Sequence, residues 1–129
     1  MRIPEGFTTL LPYLVVADGE AYIHFLVTAL GGVETGRHMD GGRLAHAQVR
    51  FGDTTIMLGE AQDNYPPTRQ HLYLFVENAD EAFARALAHG GKLHSVVEDK
   101  PYGDRHGGVE DPEGNVWWLS QRLTDEPYF

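Results

Sequence analysis

The sequence predicts an α+β chain made of two tandem βαβββ modules forming a curved mixed sheet. Three observations carry this reading. Tyr13-Leu14-Val15-Val16 returns as Tyr73-Leu74-Phe75-Val76. The helix-like run after each copy returns too, Glu20-Ala21-Tyr22 as Glu81-Ala82-Phe83 and Leu26 as Leu87, and each run stops at a glycine pair, Gly31-Gly32 and Gly90-Gly91. Three strand-like segments then follow each helix, with Leu58 answering Leu119 at the close. A supersecondary unit written twice fixes the fold and pairs equivalent positions.

The elements follow in order. Leu10 to Val16 is an apolar run ending at Asp18, which suits a helix N-cap. Ala21 to Leu30 carries two apolar stripes, one with Ile23, Leu26 and Val27, the other with Tyr22, Phe25 and Ala29. So broad an apolar surface predicts burial on more than one side. Val33 to Met39 is read as a strand, and Asp40-Gly41-Gly42 as a turn. Leu44 to Phe51 alternates, which sets Leu44, His46, Gln48 and Arg50 against Ala45, Ala47, Val49 and Phe51. Gly52-Asp53 turns the chain into a strand over Thr54 to Leu58.

Asn64, Pro66 and Pro67 mark residues 61–69 as a linker, placing module one at about 8–60 and module two at about 70–122 of a single domain. His71 to Val76 restarts the pattern. Asn78 followed by Glu81 resembles a capping box before an amphipathic helix through Ala82, Phe83, Ala86 and Leu87. Strands are expected at Leu93 to Val97, His106 to Glu110 and Val116 to Gln121, with a tight turn at Asp111-Pro112-Glu113-Gly114. Residues 124–129 show no pattern. Having three strands after each helix argues against a dimeric ferredoxin-like barrel.

Composition narrows the function. The chain has 129 residues, 42% of them hydrophobic and 22% charged, an ordinary globular balance. Asp and Glu outnumber Lys and Arg by 19 to 10, giving a formal charge of −9. An acidic surface argues against nucleic-acid binding and is compatible with cationic ligands. There is no cysteine, so disulfides and thiolate metal sites are excluded. No apolar run reaches the roughly 18 residues of a membrane span, and the first residues show no signal-peptide pattern, so a cytoplasmic location is expected.

The doubled unit, the opening Pro12-Tyr13-Leu14-Val15-Val16, the segment Gly103-Asp104-Arg105 and the closing Asp111-Pro112-Glu113-Gly114-Asn115-Val116-Trp117 resemble the vicinal oxygen chelate superfamily. This is the glyoxalase, bleomycin-resistance and extradiol dioxygenase group, and the resemblance runs from about Leu10 to Gln121. It implies, in the family's enzymes, a divalent metal held by one ligand from the first and one from the last strand of each module. Those positions here hold Leu11, Met57, His71 and Trp118. Only His71 offers a suitable donor, and a hard divalent ion wants several O or N donors. A metal would need His46 or another polar group to replace the missing ligands. No cofactor is therefore expected, and the resemblance points to the metal-free, bleomycin-resistance-like branch.

Strand alternation assigns the face left bare by the helices. Tyr13, Met57, Tyr73, Phe75 and Trp118 fall on it, with His46 and Gln48 as polar members. Such a wall suits a flat organic ligand, and a cationic part would sit over the ring faces. His71 is either a hydrogen-bonded strand residue or a group that bonds the ligand. Arg105 is either a surface partner of Asp104 or a clamp for a ligand's acceptor. The leading expectation is a homodimeric protein that sequesters an aromatic natural product or antibiotic without chemistry. The alternative is a metal-dependent lyase or isomerase of the glyoxalase type. A regulator or subunit of another system stays open.

Overall fold

In the computed structural model, which describes residues 1–129, each module starts with a short strand and a capped helix. The chain divides into two compact units, Met1–Thr68 and Arg69–Phe129. The first holds β1 (Tyr13–Val16), α1 (Gly19–Thr28), β2 (Val33–Asp40), β3 (Arg43–Phe51) and β4 (Thr54–Glu60). Its four strands form a mixed sheet in the order β1-β4-β3-β2, with β1 parallel to β4. The second holds β5 (His71–Phe75), α2 (Ala79–Ala88), β6 (Lys92–Asp99), β7 (Asp104–Glu110) and β8 (Val116–Arg122). Its sheet runs β5-β8-β7-β6, with β5 parallel to β8. The expected α+β fold is thus present as two four-stranded sheets, each with one helix. Neither helix is long and apolar enough to cross a membrane.

The caps explain where the helices begin. The Asp18 carboxylate accepts the Ala21 N–H, and the Asn78 side chain accepts the Glu81 N–H. Both stripes of α1 are buried, Ile23 and Leu26 as well as Tyr22 and Phe25. α2 buries little beyond Ala79 and Ala86. Each helix lies across its own sheet, over Val49 and Leu58 in the first unit and over Val109 and Leu119 in the second.

The glycine pairs do more than stop the helices. A Cβ on Gly91 would lie 2.4 Å from Val109 Cγ1 and 2.8 Å from the Ala86 carbonyl oxygen. At the equivalent Gly32 it would lie 2.6 Å from Val49 Cγ1 and 3.1 Å from the Leu26 oxygen. The chain passes too close to the helix end for any side chain. Gly91→Ala is expected to cost about 1–3 kcal/mol in chemical denaturation. Gly36→Ala is the control, because a Cβ there meets nothing within 4 Å.

Three details differ from the sequence reading. β1 starts at Tyr13 rather than Leu10, since Pro12 has no N–H to give a ladder. β7 starts two residues early, at Asp104, which is wholly buried. Leu44 does not share a face with His46. Pairing of β2 with β3 jumps from Met39–Leu44 to His38–His46, leaving Ala45 as an extra residue. This bulge reverses the phase of the strand, so Leu44 is buried against Gly19 at the start of α1.

Candidate functional site

The helix-free face of the second unit carries most of the aromatic chemistry. Parallel pairing sets Tyr73 of β5 beside Trp118 of β8, and Gly108 of β7 lies on the other side of Trp118. A Cβ on Gly108 would come within 3.0 Å of the indole and 3.1 Å of His94 Nδ1, so glycine makes room for both. Three imidazoles surround Trp118. His71 stacks with it at 6.0 Å between ring centroids, and His94 and His106 meet it edge-on, each at 5.3 Å. The indole N–H donates to His71 Nδ1 at 3.0 Å. Phe75 packs its edge on Tyr73 at 5.3 Å and stays 57% exposed. Tyr73, Trp118, Tyr102, His106 and Val96 line an open hollow of about 520 Å³, with Glu98 and Lys100 at its rim.

A polar corner adjoins this hollow. Asp104 Oδ2 accepts the hydroxyls of Tyr73 and Tyr128, each at 2.6 Å, and Oδ1 accepts Arg122 Nη1 at 2.8 Å. Burial pushes the carboxyl up, but the bonds from Tyr128, Tyr73 and Arg122 outweigh burial and hold its pKa down at about 2. Burial and the Asp104 charge push the Tyr73 phenol up, so it stays a neutral donor. Ser120 in turn donates to the Tyr73 oxygen at 3.0 Å.

His106 is buried, with Nε2 2.6 Å from the Tyr102 hydroxyl and Nδ1 without a partner in the protein. Burial, then the Lys100 charge, lowers its pKa, although Asp104 and Glu98 oppose the shift. The folded protein therefore resists a proton that the unfolded chain accepts below about 6.5. Stability is expected to fall as pH drops from there through the depressed folded value. Denaturation midpoints at pH 7.5 and 5.5 should differ less in His106→Gln than in the parent chain.

The first unit presents a different surface. Tyr13 lies 5.8 Å from His46, centroid to centroid, and the Gln48 amide donates to His46 Nε2 at 3.1 Å. Met57, Leu11 and Gln48 line a hollow of about 390 Å³ that the chain's own residues Met1 to Thr9 help enclose. Thr55 pins that segment by donating to the Gly6 carbonyl oxygen at 2.6 Å. A second hollow, of about 360 Å³, lies beside Tyr13, Tyr65 and Glu60. The Glu60 carboxylate is committed there, accepting the N–H groups of Gly19 and Leu44 at 2.8 and 2.7 Å.

Arg105 does not join the aromatic face. Its guanidinium bonds Asp80 at 2.9 Å and Asp99 at 3.0 Å on the side that α2 covers, and Asp104 pairs with Arg122 instead. The structure adds His94, Tyr102, Asp104, His106 and Tyr128 to the neighbourhood of Trp118. Pairing of β6 with β7 jumps from Leu93–Val109 to Ser95–Gly108, leaving His94 as the extra residue of a bulge. Ser95 and Val96 follow onto the hollow.

The positions that the family resemblance marks for metal ligands are Leu11 and Met57 in the first unit and His71 and Trp118 in the second. These supply one imidazole, whose Nδ1 already accepts the indole N–H. No group of three or more His, Asp or Glu side chains is arranged to hold an ion. A hard divalent ion does not fit this donor set.

Two βαβββ units, each a four-stranded mixed sheet with one helix, define the fold class. The chain belongs to the Glyoxalase/Bleomycin resistance protein/Dioxygenase superfamily, whose family model matches residues 7–119. An uncharacterized protein of Mycobacterium bovis is 36% identical, the match covering 90% of this chain and 84% of that protein. Among solved structures, TioX from Micromonospora sp. ML1 is similar with a TM-score of 0.79 and 25% identity, covering 90% of this chain and 99% of that one. TnmS3, an antibiotic binding protein from Streptomyces sp. CB03234, is similar with a TM-score of 0.75 and 26% identity, covering 95% and 98%.

Proposed function

We propose that this protein binds a flat aromatic small molecule, an antibiotic or another natural product, and sequesters it without a metal ion. The observation that carries the reading is Trp118. Its indole lies among Tyr73, His94 and His106 on a face that no helix covers, beside an open hollow of about 520 Å³. A ring inserted there stacks on the indole and displaces water from aromatic surface. The charge of −9 favours a guest that is cationic rather than anionic. Similarity to an antibiotic binding protein supports the same reading. The proposal includes a homodimer acting in the cytoplasm, as a resistance or self-protection device. Light scattering on the full chain tests the dimer.

The cheapest test of binding is tryptophan fluorescence during titration with proflavine, a flat tricyclic cation. Trp117 is 2% exposed and bonded to Asp111, so a saturable quench reports binding, and comparison with Trp118→Phe separates the contribution of Trp118. Failure of proflavine and other flat cations to produce saturation counts against the reading.

A further inference from the structure

We propose that Asp104 receives a phenolic hydroxyl of the ligand, and that Tyr128 of the C-terminal segment occupies this place until the ligand displaces it. The inference rests on the aromatic-binding reading above and names the ligand class more narrowly.

Two phenols share one carboxylate oxygen, but they are held differently. Tyr73 sits in β5, fixed by parallel pairing with β8. Tyr128 sits in residues 124–129, which form no helix or strand. Tyr128 is 45% exposed, and the next residue, Phe129, is fully exposed. The segment is held by the Tyr128 hydroxyl on Asp104, by Arg122 donating to the Glu126 carbonyl oxygen, and by the Glu126 N–H on Thr124. Of the two phenols, Tyr128 is the exchangeable one.

The surroundings fit a phenol from outside. The Tyr128 ring lies 6.4 Å from Tyr102, which itself lines the hollow beside Trp118. The Arg122 guanidinium stands 4.0 Å over the Tyr128 ring, an arrangement that favours any electron-rich ring in that position. An ionised carboxylate only accepts hydrogen bonds, so this corner selects a hydroxyl donor and rejects an ether or a carboxylate. A ligand bearing a phenol at the edge of a flat ring system thus replaces Tyr128 on Asp104.

The test compares 2-naphthol with 2-methoxynaphthalene, which cannot donate, by calorimetry on the full chain and on Tyr128→Phe. A segment docked about nine-tenths of the time weakens its competitor about tenfold, so loss of Tyr128 should tighten 2-naphthol on the order of tenfold. The affinity for 2-methoxynaphthalene should change much less, because an ether gains no bond to Asp104. Tyr128→Ala should repeat the result, and circular dichroism confirms that each variant keeps its fold. Equal tightening of both compounds would make the segment a mere steric cover, and no change in 2-naphthol would remove the competition; either overturns the proposal. Failure of both compounds to bind any of the chains would overturn the aromatic-binding reading along with it.

Discussion

Asp111→Ala is expected to destabilise the second unit by about 3–5 kcal/mol, measured by chemical denaturation. Oδ1 of Asp111 accepts the N–H groups of Glu113 and Asn115 at 2.8 and 3.0 Å. Oδ2 accepts the Asn115 amide at 3.0 Å and the Trp117 indole at 2.9 Å. Asp111, Asn115 and Trp117 are all buried, so water cannot replace the lost acceptor. Each orphaned donor keeps its desolvation cost while losing its bond. Set against the 5–15 kcal/mol typical of a domain, the loss leaves little margin. Asp111→Asn should recover only part of it, because its NH2 would face donors. The same turn positions the start of β8, and hence Trp118.

The second large effect concerns binding. Trp118→Ala is expected to weaken proflavine by about 2 kcal/mol, roughly thirtyfold in Kd. The indole presents its surface to the hollow and is the ring around which His71, His94 and His106 are arranged. Its removal takes away the stacking surface and leaves His71 Nδ1 without its donor. Trp118→Phe should keep much of the affinity, since a smaller ring still stacks. Trp118 is only partly buried, so the folding stability of either variant should change less than that of Asp111→Ala. Isothermal titration with parallel denaturation curves separates the two effects.

Much of this fold was legible in the chain because repetition is a strong local signal. Tyr13 answered by Tyr73, and Gly32 by Gly91, located both strands and both helix ends. The rings of the candidate site were legible for a similar reason. Tyr73, Phe75 and Trp118 follow strict alternation in β5 and β8, where pairing is regular. Alternation misleads where a bulge adds a residue, and so it misassigned Leu44 and overlooked His94. Partners distant in sequence are not encoded by spacing. Nothing local says that Arg105 turns to Asp80 and Asp99, or that Tyr128 folds back onto Asp104. A buried carboxylate with three side-chain partners looked, as sequence, like an ordinary charged turn residue.

Binding without a metal is tested most directly by calorimetry of proflavine against the full chain after dialysis against EDTA. Retained affinity, unchanged when magnesium, manganese, nickel or zinc is restored, is the expected result. Affinity that vanishes on chelation and returns with a stoichiometric divalent ion would contradict it.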